Sequence, residues 1–380
     1  KPETPHHFQV HFTLNVMGVP IGYTKDVIYK RTDPVDGEVY RPFEVIPPVF
    51  ANIENTVYVY ADNQPQTVRV VIKSGKAGIK GKATIFKPIG WRIEPEYIDF
   101  DLALKEAETT LSFQLFPPDR QSEAELAALV QLEDGTVHSQ GITIIEYDHI
   151  PTQTVVQTQR AKVVKIELEK RGDRIGYIMG AGDDVPTALE QIGYQVDLLE
   201  DKDITLQNLK QYDAVVLGVR AYNTNERLKF QNPILLEYTK QGGTMLVQYN
   251  TTRRLKVPSA ELGPYPMKLS RDRVAVEEAE VRLLAPEHPV LNTPNKITTA
   301  DFEGWVQERG LYFPNEWDEQ YTPILSSNDP DEPARDGGLL VAKYGKGYYI
   351  YSGYSWFREL PAGVPGAFRL FANLVSIGKE

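Results

Sequence analysis

The chain contains no cysteine, which removes disulfides, thiolate zinc sites, iron–sulfur clusters and cysteine nucleophiles together. A protein without thiols is content in reducing or oxidising surroundings, so the absence leaves the compartment open. No apolar run approaches the roughly 18 residues that a membrane-spanning helix requires, and no membrane insertion is expected. Basic charge is scarce: 41 Lys and Arg stand against 52 Asp and Glu, a formal net charge of -11. That balance repels phosphate backbones and anionic lipid, which sets nucleic acid aside as a partner. The first residue is Lys1, with no start methionine and no basic-then-apolar leader, so the chain reads as a mature or excised fragment.

What is there is the composition of a globular protein, 41% hydrophobic and 24% charged over 380 residues, a length that suits two cores. The hydrophobic period differs between the halves. From Phe8 to about Asp148 apolar and polar residues alternate, as in Phe8, Val10, Phe12, Leu14 and Val16, or Val68, Val70 and Ile72, or Leu111, Phe113 and Leu115. Such alternation gives strands with one buried face. Asp134-Gly135 reads as a hairpin turn between two of them. Proline pairs such as Pro47-Pro48 and Pro117-Pro118 punctuate the run as in an antiparallel β-sandwich. Ser122 to Ala127 is the one helix-like stretch, and it reads as easily as a strand entry. Residues 1 to about 40 read as the tail of a preceding module, and the polar run Gln153 to Arg160 reads as the interdomain linker. The expected domains are therefore 1–157, a β-sandwich region, and 158–380.

In the second half, buried-strand runs (Arg174 to Met179, Tyr194 to Leu199, Ala214 to Gly218, Thr244 to Val247) alternate with helical ones (Pro186 to Ile192, Pro233 to Gln241). Short loops between them predict right-handed crossovers and a flavodoxin-like, doubly wound parallel sheet. A hairpin, Gly338 to Tyr344 with Gly347 to Ser352, and a helix from Gly363 to Ile377 close the chain.

In an open parallel sheet, ligands sit at the carboxyl ends of the strands. That rule would gather Gly180 to Asp184, Arg220 to Asn223, Gln248 to Thr251 and Tyr354 to Trp356 on one edge. The Gly180-Ala181-Gly182 turn lacks a third glycine and is followed by Asp183 and Asp184, which would repel a pyrophosphate. These carboxylates read as helix caps or as contacts to a polar ligand or metal. Neither Tyr249 nor Asn250 is an acyl nucleophile without special activation, and Thr251 or Thr252 would each need a nearby base. Arg271 and Arg273 could clamp an anion, with Asp272 expected to neutralise one of them. Asp301, Glu303, Trp305, Glu308 and Arg309 form the densest polar and aromatic set, readable as a sugar or metal site or as a solvated loop. His288 reads as part of a turn. His6, His7 and His11 read as an adventitious cluster at the terminus, and Gly90-Trp91 as a core aromatic.

Several of these runs together, Gly180 to Asp183, Arg220 to Asn223, Gln248 to Thr251, Gly263 to Pro266, Asp301 to Phe313 and Leu360 to Gly366, with Asp33 to Pro42 before them, resemble the C-terminal region of large bacterial PIG-L (LmbE-like) deacetylases. The resemblance implies β-sandwich material followed by a class I amidotransferase-like domain, set behind a zinc-dependent deacetylase of N-acetylated amino sugars. In amidotransferases the bend after the fourth strand carries a cysteine, and here it would present Tyr249 or Asn250. The deacetylase's Ala-His-Pro-Asp-Asp type of zinc motif is missing from this chain. No cofactor is therefore expected here, and zinc is expected only in the deacetylase domain.

The expected function is a non-catalytic accessory region that binds carbohydrate or its own deacetylase domain in a periplasmic or extracellular setting. Asp183, Arg220, Asn223, Tyr249, Asn250, Arg271, Glu303, Trp305 and Arg309 are its expected contacts. The alternatives are a cryptic hydrolase using Asp301, Glu303 or Glu308 as acid or base, and a structural or self-associating module.

Overall fold

The computed structural model describes residues 7–147 and 149–379; His6, in the terminal histidine cluster, lies outside them. Among the described residues 44% are in strands and 15% in six helices, which makes this a mostly β chain. The chain divides into two compact units. The first holds the residues up to Thr56, with Gln64–Pro117 and Ala124–Lys162, and the second holds Val57–Asn63, Pro118–Glu123 and the chain from Val163 onward.

The first unit is a β-sandwich. One sheet takes the order Val49–Ile53, Gln66–Ser74, Glu108–Phe116, Arg92–Glu94, and another carries Ile98–Leu102, Ile79–Phe86 and the strand Ser122–Leu132 side by side. Alternation sets the faces here: Val68, Val70 and Ile72 are buried while Thr67 and Arg69 beside them face solvent. Trp91 is buried, as a core aromatic should be. The stretch that wavered between helix and strand is strand, and Gly135 turns the hairpin into Val137–His138 with φ 85°. Three further hairpins belong to this unit: Gln9–Val16 with Val19–Asp26, Ile28–Asp33 with Gly37–Pro42, and Gln140–Tyr147 with Ile150–Thr158. The last corrects the expected linker. Gln153 to Thr158 is polar yet extended, because it pairs along its length with Gln140–Tyr147, and Arg160 already begins the next strand, Arg160–Lys165.

The second unit is built on a seven-stranded sheet in the order Gln195–Leu198, Arg174–Ile178, Ala214–Leu217, Thr244–Gln248, Gly347–Ser352, Leu339–Tyr344, Tyr321–Pro323. The flavodoxin-like, doubly wound expectation is corrected by it. The sheet is mixed: its first five strands run parallel, and the last two are antiparallel additions. Between Asn250 and Gly338 the chain makes no further strand–helix repeat. It forms two separate antiparallel ladders, Met267–Val274 with Gly310–Trp317 and Val281–Leu283 with Leu325–Ser327. Only Leu228–Lys240 and Pro365–Ser376 exceed two helical turns. The amidotransferase-like bend is absent as well: Thr244–Gln248 is followed by irregular chain, so no strand-to-helix elbow displays Tyr249 or Asn250. Local pattern failed here because parallel and antiparallel additions to a buried edge share the same apolar run.

Candidate functional site

Four parallel strands, ending at Ile178, Leu217, Gln248 and Ser352, lie in register side by side. The residues beyond their ends are of two sorts, some tied into the framework and some left open.

Asp183 belongs to the framework. One carboxylate oxygen accepts from the Tyr177 hydroxyl at 2.6 Å and from the Val185 N–H at 3.2 Å, and the other from the Val219 N–H at 3.1 Å. Gln248 donates to the same Tyr177 hydroxyl at 2.8 Å. Gly180 serves the same close packing, since a Cβ there would stand 2.0 Å from the Val219 carbonyl. Asp183 is thus corrected from ligand contact to tie, and Asp184, at the N-cap of the following helix, makes no side-chain capping hydrogen bond. Asn250 is likewise internal: it accepts from the Tyr222 N–H at 2.9 Å and donates to the Gln248 carbonyl at 2.9 Å, fully buried. Asn223 holds the following loop, accepting from the Thr251 N–H at 2.9 Å and donating to the Thr251 and Arg253 carbonyls at 3.1 and 2.9 Å. Both asparagines are positioning groups, their side-chain amides taken up by the backbone around them.

The open part is a cleft of about 580 Å3 lined by Arg220, Thr251, Thr252, Arg253, Arg254, Arg271 and Tyr312. Each arrives by a definite local device. Arg220 follows the Ala214–Leu217 strand in the left-handed conformation, φ 59° and ψ 26°, with its N–H donating to the Tyr249 carbonyl at 2.9 Å. Its Nε is buried without a partner. Arg253 and Arg254 ride the loop that Asn223 pins, and Arg254 is also left-handed at φ 60°. Arg271 projects from a bulge, because the ladder with Gly310–Trp317 shifts register between Leu269 and Asp272. Ser270 holds that bulge by donating to the Phe313 carbonyl at 2.7 Å and accepting from the Asp272 N–H at 2.8 Å. Bulges are a common way to re-aim a side chain beside a site. The expected neutralisation by Asp272 does not occur: alternation turns Asp272 away, and it pairs with Arg335 at 3.2 Å. Tyr312, a third left-handed residue at φ 54°, stacks on Tyr249 with ring centroids 6.0 Å apart and planes 7° from parallel.

Among the described residues none of the four arginines has an ion-pair partner. Guanidinium groups stay protonated at any ordinary pH, so the cleft concentrates positive charge in a chain of net charge -11. Tyr249 backs this cleft as a neutral phenol, its pKa raised by burial against the opposite pull of Arg220. Thr251 donates its hydroxyl to the Arg253 carbonyl at 3.1 Å, which does not activate it. Arg253, Arg254 and Tyr312 are the lining residues that the strand-end rule and the charge pattern passed over. An adjacent arginine pair just past a strand end, in an acidic chain, was the available signal.

The Asp301 to Arg309 set is corrected. Asp301 is buried, held by Arg369 at 2.6 Å and by the Thr298 N–H at 2.8 Å. Trp305 is buried among Phe302, Tyr354 and Trp356, and its indole N–H donates to the Asp301 carbonyl at 3.0 Å. Arg309 is buried, donating to the Ala279 carbonyl at 3.0 Å and to the Phe302 carbonyl. Glu308 takes the Nε of Arg358 at 2.8 Å, and Glu303 is exposed outside the cleft lining. These side chains staple one loop to the core. The same holds for His288, whose Nδ1 caps the turn Pro289–Leu291 and whose pKa is lowered by burial. Among the described residues no three His, Asp or Glu side chains could share a metal ion.

No family model matches the chain, and neither does any curated protein sequence. Among solved structures, a cold-adapted β-galactosidase from Rahnella sp. R3 is 15% identical over 53% of this chain and 31% of its own, with a TM-score of 0.33. A family 123 glycoside hydrolase from Clostridium perfringens is 7% identical over 52% of this chain and 48% of its own, at 0.21. The CARDB domain of a Pyrococcus furiosus protein is 19% identical over 30% of this chain and 91% of its own, at 0.19. The chain thus spans about a third of the galactosidase's length, and likenesses this loose leave the site to be read from its own chemistry.

Proposed function

We propose that this chain is a non-catalytic binding region that holds carbohydrate at the arginine cleft, as an accessory to a catalytic domain of the PIG-L deacetylase kind. The observation that carries the reading is the cleft itself: unpaired arginines, two threonines and a stacked tyrosine pair, with no general base among the lining residues. Arginine forks, threonine hydroxyls and a flat ring edge are the groups that recognise a polar ligand with an apolar face. Of the carboxylates a hydrolase would use, Asp301 is engaged by Arg369 and Glu308 by Arg358, while Glu303 is exposed and lies outside the cleft lining.

Titration calorimetry of the whole chain against a panel of neutral and acidic oligosaccharides tests this. Saturable binding that is weakened by Arg220→Ala and by Arg271→Ala supports the cleft. Binding of equal strength in both variants would move the site elsewhere, and silence across the panel would remove carbohydrate as the ligand.

A further inference from the structure

We infer that the cleft takes a ligand carrying two or more anionic groups; on the carbohydrate reading, an acidic oligosaccharide and not a neutral one. The inference rests on that reading only for the sugar. The count of charges comes from the cleft.

One carboxylate, sulfate or phosphate is satisfied by one bidentate guanidinium fork, with a second arginine at most sharing it. Four arginines line this cleft, all without an ion-pair partner among the described residues. A single anion would leave at least two of them without an anionic partner. All four cations are arginine and none is lysine, which favours planar, two-oxygen groups over a point charge. A space of about 580 Å3 exceeds the needs of one inorganic anion.

The backbone points the same way. Seven non-glycine residues among those described have φ between 53° and 67°, and three of them, Arg220, Arg254 and Tyr312, line this one cleft. Left-handed backbone disfavours any residue with a Cβ, and it persists where surrounding structure enforces it, commonly at ligand sites. Glycine would relieve each position but would remove a cation or a ring. Arg220 adds a buried Nε, a donor without a partner among the described residues.

Calorimetry of the full chain with three matched probes reads the charge directly: trigalacturonate, its fully methyl-esterified counterpart, and pyrophosphate. A sulfated disaccharide forms a further arm that separates ester sulfate from carboxylate. The acid is expected to bind about tenfold or more tightly than its methyl ester, in keeping with charge-assisted hydrogen bonds. That gap should shrink between about 50 and 200 mM salt. The double variant Arg253→Ala/Arg254→Ala should close it, with circular dichroism unchanged. Acid and ester binding equally would overturn the inference while leaving the carbohydrate reading intact. Pyrophosphate binding with no saccharide binding would uphold the inference and overturn the carbohydrate reading. If the sulfated probe alone binds, ester sulfate supplies the anions and the inference stands. Silence from every probe overturns both.

Discussion

Two polar clusters in the second unit look alike in sequence and differ completely in the folded chain. Around Asp301 to Arg309 most ionic groups are answered, Asp301 by Arg369 and Thr298, Arg309 by two backbone carbonyls and Glu308 by Arg358, while Glu359 beside them keeps one oxygen without a partner among the described residues. In the cleft, Arg220, Arg253, Arg254 and Arg271 meet no carboxylate within the described chain. The first cluster is therefore part of how the protein stays folded, because a buried charge without a partner costs several kcal/mol. The second contributes little to folding and leaves its hydrogen-bonding capacity for something else. Density of charged residues does not separate the two clusters: in the first, protein groups answer the charge, and in the second Arg253, Arg254 and Arg271 are left to solvent.

The comparison breaks most visibly at Asp301. Asp301→Ala is expected to destabilise the chain by about 3–5 kcal/mol, since it leaves Arg369 beside a void where the carboxylate had been. Urea unfolding followed by tryptophan fluorescence measures this. Calorimetry on the folded fraction should then give wild-type affinity for any cleft ligand. A variant that keeps wild-type stability and loses binding would exchange the roles assigned to the two clusters.

Glu359 sharpens the contrast through pH. It is fully buried in the first cluster, and desolvation lifts its carboxyl from the ordinary 4.5 to about 8, against the hydrogen bond from the Val306 N–H and the pull of Arg309. Its other oxygen has no partner among the described residues. Between those two values the folded chain holds a proton that the unfolded chain releases. Stability from this group is thus complete below pH 4.5 and declines as pH rises through 8. Glu359→Gln keeps an acceptor for Val306 and cannot ionise. It is expected to unfold at higher temperature than wild type at pH 8.5, by roughly 1–3 kcal/mol equivalent, with the difference vanishing near pH 4. Equal melting of the two proteins across that range would show that Glu359 ionises as freely folded as unfolded.

Much of the local structure was legible. The strand Arg174–Ile178, the helix Val185–Gln191 and the hairpin around Gly345-Lys346 fall within about two residues of where apolar runs and glycines put them. The architecture was not, because nothing in an apolar strand says whether its neighbour runs with it or against it. Gln153 to Thr158 shows the reverse failure, a polar run that pairs as a strand because its partner supplies the order. Arg220 and Arg271, named from the strand-end rule and from charge, line the same cleft. Asp183, Asn223 and Asn250 were misassigned, since a ligand contact and a framework tie call for the same polar residues and only the partners distinguish them. Arg254 and Tyr312 reach the cleft by left-handed backbone that neither residue type announces.

That backbone supplies the smallest effect and the finest test. At φ 60°, Arg254 occupies a region that favours glycine, while glycine in the unfolded chain has more freedom to lose. The first effect outweighs the second at such positions, so Arg254→Gly is expected to stabilise the chain by about 0.5–1 kcal/mol. Thermal unfolding of the variant without ligand reads this. The same variant should bind trigalacturonate less tightly than wild type, so stability and affinity move in opposite directions from one substitution. Arg254→Ala separates the two contributions, because it removes the guanidinium yet keeps the Cβ strain and should weaken binding with no gain in stability. A glycine variant that melts lower than wild type would mean that Arg254 secures the loop after Thr251, and the cleft would then share the structural role of the Asp301 cluster.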